Sequence, residues 1–293
     1  MGYKGPPKII VLGIDGLEYN LIEEWRLKNI MQKAYCKLDL SDYDIIVTPP
    51  IWGSMLTGKI DEDVMKIWVR ESEILGDEKN IKQKWWAKVG NILPYSLNRW
   101  IWYNISERFL VGGDPFELTA NYVLDKKIPS IFQFFENPWT NGIPGYGKNV
   151  CGPLQRKLTK NAISGDKLTY KIFIMKNYKK DKSDLFSALE KKEFDFIFWY
   201  TTLLDNFGHM DMGNPLKHMM KHYLEINELV GDIKERCLNS IVYIISDHGM
   251  ERMEPKKSSW GMHSDHGFFS SNTGERIEKP LQFYDLVSKH KNG

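Results

Sequence analysis

The chain has 293 residues, of which 42% are hydrophobic and 27% are charged, a composition typical of a globular protein with one large domain or two smaller ones. The formal net charge of +2, from 40 basic and 38 acidic residues, excludes a strong overall attraction to nucleic acids. The three cysteines are widely separated, which excludes a zinc ribbon or a disulfide framework within one chain.

The sequence shows no signal for export or membrane insertion. No apolar run approaches the roughly 18 residues of a membrane span. The N-terminus leads into a strand without an apolar signal segment. We therefore expect a cytoplasmic protein that does not enter a membrane, and its oligomeric state stays open.

The first predicted strand ends in a carboxylate. The apolar run from Lys8 to Ile14 predicts a buried strand, and Asp15 and Gly16 follow it directly. An aspartate in this position is usually a turn residue or a helix cap. However, ligand sites of open α/β sheets lie at the carboxyl ends of parallel strands, so Asp15 is also a candidate ligand-binding residue.

A short helix with a hydroxyl at its start comes next. Proline fits the first turn of a helix, so the segment Thr48-Pro-Pro predicts a helix that continues to Thr57 and ends at Gly58. The N-terminus of a helix favours an anion such as a phosphoryl group. Thr48 is therefore a candidate functional hydroxyl, and a simple capping role is the alternative.

The middle of the chain reads as an insertion. Residues 59–128 lack polar motifs at strand ends and are rich in tryptophan and lysine, which predicts a helical insertion over the site. Basic residues between aromatic ones can bind phosphates and stack on bases, but an insertion with its own small core has the same composition. We predict a catalytic core of residues 1–58 and 129–293 and a cap of residues 59–128.

The second half of the chain returns to strands and helices. Residues 132–147, rich in glycine and proline, predict a loop, and residues 156–192 predict one or two surface helices. The strand of residues 194–202 leads to Asp205 and His209. Their spacing places both on one side of a helical turn, which suits a metal chelate.

Another buried strand ends in an acid and an imidazole. The apolar run that begins at Ile241 stops at Asp247 and His248. The polar loop that follows contains two further candidates, His263 and His266. Residues 215–237 and 280–289 predict helices before and after this region.

Acids and imidazoles thus follow several predicted strands. Mixed aspartate and histidine ligands are typical of catalytic metals with open coordination positions, whereas structural zinc sites favour cysteine. Two neighbouring cations can bind the attacking and the leaving oxygen of a phosphoryl displacement. We therefore predict a two-metal phosphoester site that includes the hydroxyl of Thr48.

In their order along the chain, these segments resemble the motifs of the alkaline phosphatase superfamily, and within it the type I phosphodiesterase/nucleotide pyrophosphatase branch. The resemblance covers about residues 8–59 and 194–290. It implies an α/β fold, an alkaline-phosphatase-like three-layer sandwich with a central, mostly parallel sheet and a helical, Trp-rich insertion. The matching segments are Gly13-Ile-Asp15-Gly16, Thr48-x-Pro50-x-Trp52-x-Ser54-x-x-Thr57-Gly58-Lys59, Asp205-x-x-Gly208-His209, Ser246-Asp247-His248-Gly249-Met250 and Gly261-x-His263-x-x-x-Gly267.

The resemblance also implies roles for the matching residues. Thr48 would be the nucleophile, would form a transient phosphothreonine and would contact a metal. His263 is favoured over His266 as a ligand because Gly267 follows it at the family's spacing. The cofactors would be two divalent ions, zinc or alternatively manganese. Their ligands would be Asp15, Asp247 and His248 beside Thr48, and Asp205, His209 and His263 for the second ion.

The predicted function is that of a phosphodiesterase or nucleotide pyrophosphatase acting on a small-molecule phosphoester or nucleotide, with Trp52 as a candidate substrate-binding residue. A phosphomonoesterase or phosphosugar mutase on the same scaffold and a non-catalytic metal- or nucleotide-binding protein are the alternatives. Residues 60–63 differ from the Pro and His-Gly that the family usually has there, so the substrate stays open. A sulfatase is excluded, because it needs a modifiable Cys or Ser in place of Thr48.

Overall fold

The computed structural model of the chain describes residues 3–75, 114–148, 150, 152–213, 217–252 and 260–291. In chain order the strands are β1 (Ile9–Ile14), β2 (Ala34–Asp39), β3 (Pro138–Thr140), β4 (Ile143–Pro144), β5 (Gly147–Lys148), β6 (Phe196–Thr201), β7 (Ile241–Ser246), β8 (Met250–Arg252), β9 (Gly261–His263) and β10 (His266–Ser271). A six-stranded sheet lies at the centre, in the order β2-β10-β7-β1-β6-β3, and two small two-stranded sheets pair β4 with β5 and β8 with β9.

The central sheet is mostly parallel. Strand β1 pairs parallel with β6 on one side and with β7 on the other, and β3 pairs parallel with β6. Only β10, among the strands of this sheet, is antiparallel to its neighbours β2 and β7. The carboxyl ends of β7, β1 and β6 therefore lie side by side, which is the edge where the sequence places its polar residues.

The strands are apolar on both faces because both faces are covered by helices. Successive side chains of a strand point to opposite faces, and in β1 all six residues are buried. Ile10 and Leu12 pack into one core, whereas Ile9 and Val11 pack into the other. This arrangement explains why the strands read as continuous apolar runs rather than as alternating ones.

In chain order the helices are α1 (Tyr19–Glu24), α2 (Lys28–Met31), α3 (Thr48–Thr57), α4 (Glu62–Leu75), α5 (Pro115–Thr119), α6 (Tyr122–Asp125), α7 (Pro153–Ile163), α8 (Lys167–Lys191), α9 (Leu203–Asp211), α10 (Lys217–Arg236) and α11 (Gln282–Ser288). One face of the sheet carries α1, α2 and α7 to α10, and the other carries α3, α4 and α11, together with a 3₁₀ helix at Ile131–Phe134. The predicted three-layer α/β sandwich is confirmed. None of the helices within the described ranges is long and apolar enough to cross a membrane.

The predicted insertion is described only at its two ends. Val64 and Trp68 of α4 form a small cluster with Tyr122 and Val123 of α6, separate from the two main cores. Residues 76–113, which hold most of the tryptophans that suggested this insertion, lie outside the described residues. The division of the chain at residues 59 and 128 stays a prediction.

The structure corrects the prediction of a loop over residues 132–147. Part of this stretch, Pro138–Thr140, forms β3 at the edge of the main sheet. A three-residue strand is too short to show an alternating pattern, and proline usually argues against a strand. Proline is compatible with the first residue of an edge strand, where its missing N–H leaves no ladder bond broken.

Candidate active site

Backbone hydrogen bonds bring the strand ends of β1 and β6 together. The amide of Asp15 donates to the carbonyl of Thr201 at 3.0 Å, and the amide of Asp205 donates to the carbonyl of Asp15 at 3.0 Å. Gly16, with φ of +72°, makes the turn after Asp15, and a Cβ atom there would lie 2.6 Å from the Cα of Asp205. The turn therefore needs glycine, which lets α9 approach β1 closely.

The first group of candidate ligands is fully buried. Asp15 is 1% exposed, and Asp247 and His248 are 0% exposed. The Nε2 atom of His248 lies 3.3 Å from Oδ1 of Asp15 and 3.3 Å from Oδ2 of Asp247. These three side chains come from the ends of β1 and β7, which are adjacent in the sheet, and they can hold one metal ion.

The second group lies beside the first and is partly exposed to solvent. Oδ1 of Asp205 lies 3.2 Å from Nε2 of His209 and 3.5 Å from Nε2 of His263. These side chains are between 17% and 25% exposed. The ring of His263 stacks on the ring of His248 at 3.6 Å between centroids. The two groups are therefore adjacent, and a substrate can approach from the side of the second group.

All three imidazoles are held in the same tautomer. Nδ1 lies 3.0 Å from the carbonyl oxygen of Gly249 in His248 and 3.2 Å from that of Gly261 in His209. In His263 it lies 3.1 Å from the carbonyl oxygen of Ile46. A carbonyl only accepts hydrogen bonds, so Nδ1 carries the hydrogen and Nε2 of the neutral ring carries a lone pair. This is how protein carbonyls orient metal-binding histidines.

The lone pairs and carboxylate oxygens of the site face one another. The Nε2 atoms of His209 and His263 lie 3.1 Å apart. Oδ1 of Asp15, Oδ1 of Asp205 and both oxygens of Asp247 are buried and accept no hydrogen bond from any described residue. Buried oxygens without donors are costly. Bound cations would satisfy both groups, so the residues present fit a metal centre.

The pKa values of the site reflect burial first and the neighbouring charges second. Burial, followed by the charge of Asp205, raises the pKa of Asp15 to about 8. Burial, followed by the charge of Asp15, raises the pKa of Asp247 well above its usual value. Burial alone would also raise the pKa of Asp205, but the imidazoles of His209 and His263 outweigh it and lower that pKa well below its usual value. The site therefore favours a positive charge among its carboxylates.

Thr48 lies next to the buried group. It is 9% exposed, and its Oγ1 lies 3.4 Å from Nε2 of His248. The helix that it begins, α3, ends at Gly58 as predicted, with φ of +72°. Two of the first four residues of α3 are prolines, so only Thr48 and Ile51 offer free N–H groups there. The helix N-terminus thus supports an anion less than its position alone suggests, and the imidazoles and carboxylates dominate the chemistry.

The structure separates His263 from its competitor His266. His263 lies in the second group, whereas Nε2 of His266 lies 3.1 Å from Oε1 of the buried Glu18. Glu18 also accepts from the amide of Met250 at 3.1 Å. No pattern in the sequence indicates this role for Glu18, because an acid near a helix start is usually exposed.

We expect His263→Gln to bind one fewer divalent ion than the wild-type protein, because the variant removes a nitrogen that faces Asp205. His266→Gln is the matched control, since it changes the same residue type three positions away. Elemental analysis after dialysis against zinc should show a reduced stoichiometry for the first variant and an unchanged one for the second. The reverse result would place His266 in the metal centre.

The prediction that Trp52 binds substrate is corrected by its burial. Trp52 is 0% exposed and packs edge-on against Tyr200 and Phe198, with ring centroids 5.2 Å and 6.1 Å away. It fills the space over Gly13, where a Cβ atom would lie 3.0 Å from the indole ring. Trp52 lies one turn after Thr48, on the face of α3 that packs against the sheet. The indole ring of Trp52 therefore cannot stack on a substrate.

One polar residue of the site, Tyr200, has no distinguishing pattern in the sequence. Tyr200 is the fifth residue of β6, it is 0% exposed, and its hydroxyl donates to Oδ2 of Asp15. In the sequence it stands inside an apolar, aromatic run and reads as an ordinary core residue. Only the pairing of β6 with β1 shows that its hydroxyl meets a ligand.

Comparison with known proteins agrees with this geometry. A family model described as type I phosphodiesterase / nucleotide pyrophosphatase matches residues 9–265. No curated protein matches the chain. Among solved structures, a mutant of TAB5 alkaline phosphatase with Mg bound in the M3 site is 11% identical over 98% of this chain and 99% of that chain, with a TM-score of 0.39. The family match spans most of the sequence, so the chain belongs to the type I phosphodiesterase/nucleotide pyrophosphatase family, which implies a phosphoester hydrolase.

Proposed function

We propose that the protein is a metal-dependent phosphodiesterase or nucleotide pyrophosphatase that acts through Thr48. The observation that carries this proposal is the common orientation of the three imidazoles. Each fixes its Nδ1 hydrogen on a backbone carbonyl and turns Nε2 toward carboxylate oxygens. One of these Nε2 atoms lies 3.4 Å from the hydroxyl of Thr48.

Two divalent cations fit the two groups of side chains. One would be held by Asp15, Asp247 and His248 beside the Thr48 hydroxyl, and the other by Asp205, His209 and His263. Imidazole nitrogen and carboxylate oxygen together suit zinc, and manganese is the alternative. Three carboxylates carry three negative charges when ionised, so two divalent ions leave a net positive site that suits an anionic phosphoester.

When bound, the cations supply positive charge that stabilises the phosphoryl oxygens and lowers the pKa of a bound hydroxyl or water. Thr48 is held at the start of α3 with its Oγ1 beside the buried ligands. This oxygen attacks phosphorus, the bond from phosphorus to the leaving oxygen breaks, and the proton of Oγ1 passes through solvent to the leaving oxygen. The products of this step are a phosphothreonine ester and the released alcohol or nucleotide.

The second half of the reaction uses the open side of the site. Asp205, His209 and His263 are partly exposed, so water reaches this side, whereas Asp15, Asp247 and His248 exclude it. Water attacks phosphorus, the bond to Oγ1 of Thr48 breaks, and Oγ1 regains a proton. Thr48 is thereby restored, and the phosphomonoester that remains of a diester substrate leaves.

Comparing a diester with a monoester tests the proposed substrate class. We expect a higher kcat/KM for bis-p-nitrophenyl phosphate than for p-nitrophenyl phosphate with added zinc or manganese, and loss of both activities with a chelator. A strong preference for the monoester would instead indicate a phosphomonoesterase or mutase. A protein that binds both ions but turns over no phosphoester would be a binding protein.

A further inference from the structure

The hydroxyl of Tyr200 distinguishes the two oxygens of Asp15. Tyr200 pairs with Gly13 across the parallel β1–β6 ladder, which places its side chain beside the end of β1. Its hydroxyl donates to Oδ2 of Asp15. The other oxygen, Oδ1, accepts no hydrogen bond within the described part of the chain and lies 3.3 Å from Nε2 of His248. Tyr200 thus occupies one carboxylate oxygen and leaves the other available to a cation.

Asp247, the other carboxylate of the buried group, has no such hydrogen bond within the described ranges. Both oxygens of Asp247 are buried and accept no hydrogen bond from the residues that the structure describes. The two aspartates of this group are therefore not equivalent, although both follow parallel strands and both are buried. The phenol of Tyr200 is the only side chain shown to make this difference among the described residues.

The backbone and ring of Tyr200 are fixed on several sides. Asn141 receives a hydrogen bond from the amide of Tyr200 at 2.8 Å and donates one to its carbonyl at 2.9 Å. The ring of Trp52 packs edge-on against the ring of Tyr200. The ammonium group of Lys148 lies 5.2 Å from the ring centroid and is held by Asp181 at 3.2 Å. A tyrosine held in this way cannot turn its hydroxyl away from Asp15.

The ammonium group of Lys148 also contacts the ring of Tyr200. A cation within about 6 Å of a ring face is attracted to the π electrons, so this contact helps to hold the ring in place. The ion pair of Lys148 and Asp181 is only 22% and 17% exposed, so solvent screens it weakly. The ion pair of Asp181 with Lys148, the contact of Lys148 with the Tyr200 ring and the hydrogen bond of Tyr200 to Asp15 thus form a continuous series of contacts.

We propose that Tyr200 is a positioning residue that restricts Asp15 to binding the buried cation through Oδ1 alone. Partners that orient a ligand typically change metal affinity by about 10–100-fold when they are removed. A buried tyrosine hydroxyl needs a partner in any case, so the test must separate metal binding from stability. This inference rests on the proposed metal centre.

Tyr200→Phe removes the hydroxyl and keeps the ring, and Tyr243→Phe is its matched control. Tyr243 lies on β7, is 0% exposed and donates to Oε2 of Glu275 at 2.6 Å, so the control also loses a hydroxyl–carboxylate bond, in this case a partly buried one. The two variants should lose similar stability. Metal affinity is measured by competition with a chelator, and the ligand arrangement by the visible absorption of the protein loaded with cobalt(II).

For Tyr200→Phe we expect one of the two metal equivalents to bind about 10–100-fold more weakly, together with a changed cobalt absorption spectrum, because Oδ2 of Asp15 becomes free. Tyr243→Phe should keep the wild-type affinity and spectrum. Wild-type affinity and spectrum in Tyr200→Phe would overturn the inference. If that variant does not fold, 3-fluorotyrosine incorporated at position 200 decides, because it keeps the ring and makes the hydroxyl a more acidic donor to Asp15. It should shift the cobalt spectrum, and an unchanged spectrum would refute the inference.

The test distinguishes this inference from the proposed function. A wild-type protein that binds no divalent metal would refute the metal centre itself. A wild-type protein that binds two ions, with Tyr200→Phe behaving identically, would refute only the role of Tyr200. Turnover is not needed for either conclusion.

Discussion

Thr48→Ala is expected to reduce kcat for diester hydrolysis by about 1,000-fold or more, because no other hydroxyl replaces the nucleophile. The loss should appear in kcat and in kcat/KM alike, since the missing bond forms only during the reaction. The fold should persist, because the Thr48 side chain is shown with a single hydrogen bond, of 3.4 Å, to His248. Steady-state kinetics with saturating zinc measure the effect.

Thr48→Ser is the matched control, because it restores a hydroxyl on the same helix position. Its kcat should lie much closer to that of the wild type. Rapid acid quenching followed by mass spectrometry should detect a phosphorylated peptide that contains Thr48 in the wild type and none in the alanine variant. Undiminished turnover by Thr48→Ala would remove Thr48 as the nucleophile.

Asp247→Asn is expected to stabilise the chelated protein and to weaken metal binding. Burial, and then the charge of Asp15, raises the pKa of Asp247 well above its usual value, so ionisation of this carboxyl opposes folding. An asparagine removes that charge, and we expect a gain on the order of 2 kcal/mol in the free energy of unfolding at pH 8. The same change removes a cation ligand, so metal affinity should fall by more than about 100-fold.

The sign of the pH dependence follows from the raised pKa values. The folded, metal-free protein holds protons on these carboxyls that the unfolded chain releases above about pH 4. Its stability is therefore full below that pH and falls as the pH rises toward the pKa of Asp15, about 8. The stabilisation by Asp247→Asn should thus be larger at pH 8 than at pH 5.

Urea unfolding at both pH values, with chelator and with saturating zinc, checks this prediction. With zinc the order should reverse, and the wild type should be the more stable protein. Asp265→Asn is the control: this side chain is 91% exposed, so the substitution should change the stability by less than about 0.5 kcal/mol. A chelated Asp247→Asn protein that is less stable than the wild type at both pH values would contradict the account.

Much of the candidate metal centre was predictable because its residues follow local rules. Asp15 and Asp247 stand directly after apolar runs, and parallel strands end at one edge of the sheet. Asp205 and His209 lie one helical turn apart on α9. These patterns are local, and the sequence therefore indicated which residues meet before the strand order was known.

The errors and omissions concern contacts between distant parts of the chain. Trp52 is one turn from Thr48, but the packing of α3 on the sheet buries it. Tyr200 and Asp15 are 185 positions apart, and nothing in an apolar run distinguishes a tyrosine that meets a carboxylate from one that fills the core. Glu18 and His266 are 248 positions apart, and their pairing follows only from the fold, which brings the start of α1 beside the start of β10.

We expect two divalent ions to bind at the carboxyl ends of β1, β6 and β7, and metal stoichiometry tests this most directly. Elemental analysis of the protein, loaded with zinc or manganese and then dialysed, should give two ions per chain. Asp15→Asn and His209→Gln, one from each group of ligands, should each give one ion. A wild-type protein that retains no ion under these conditions, or variants that retain both, would contradict the account.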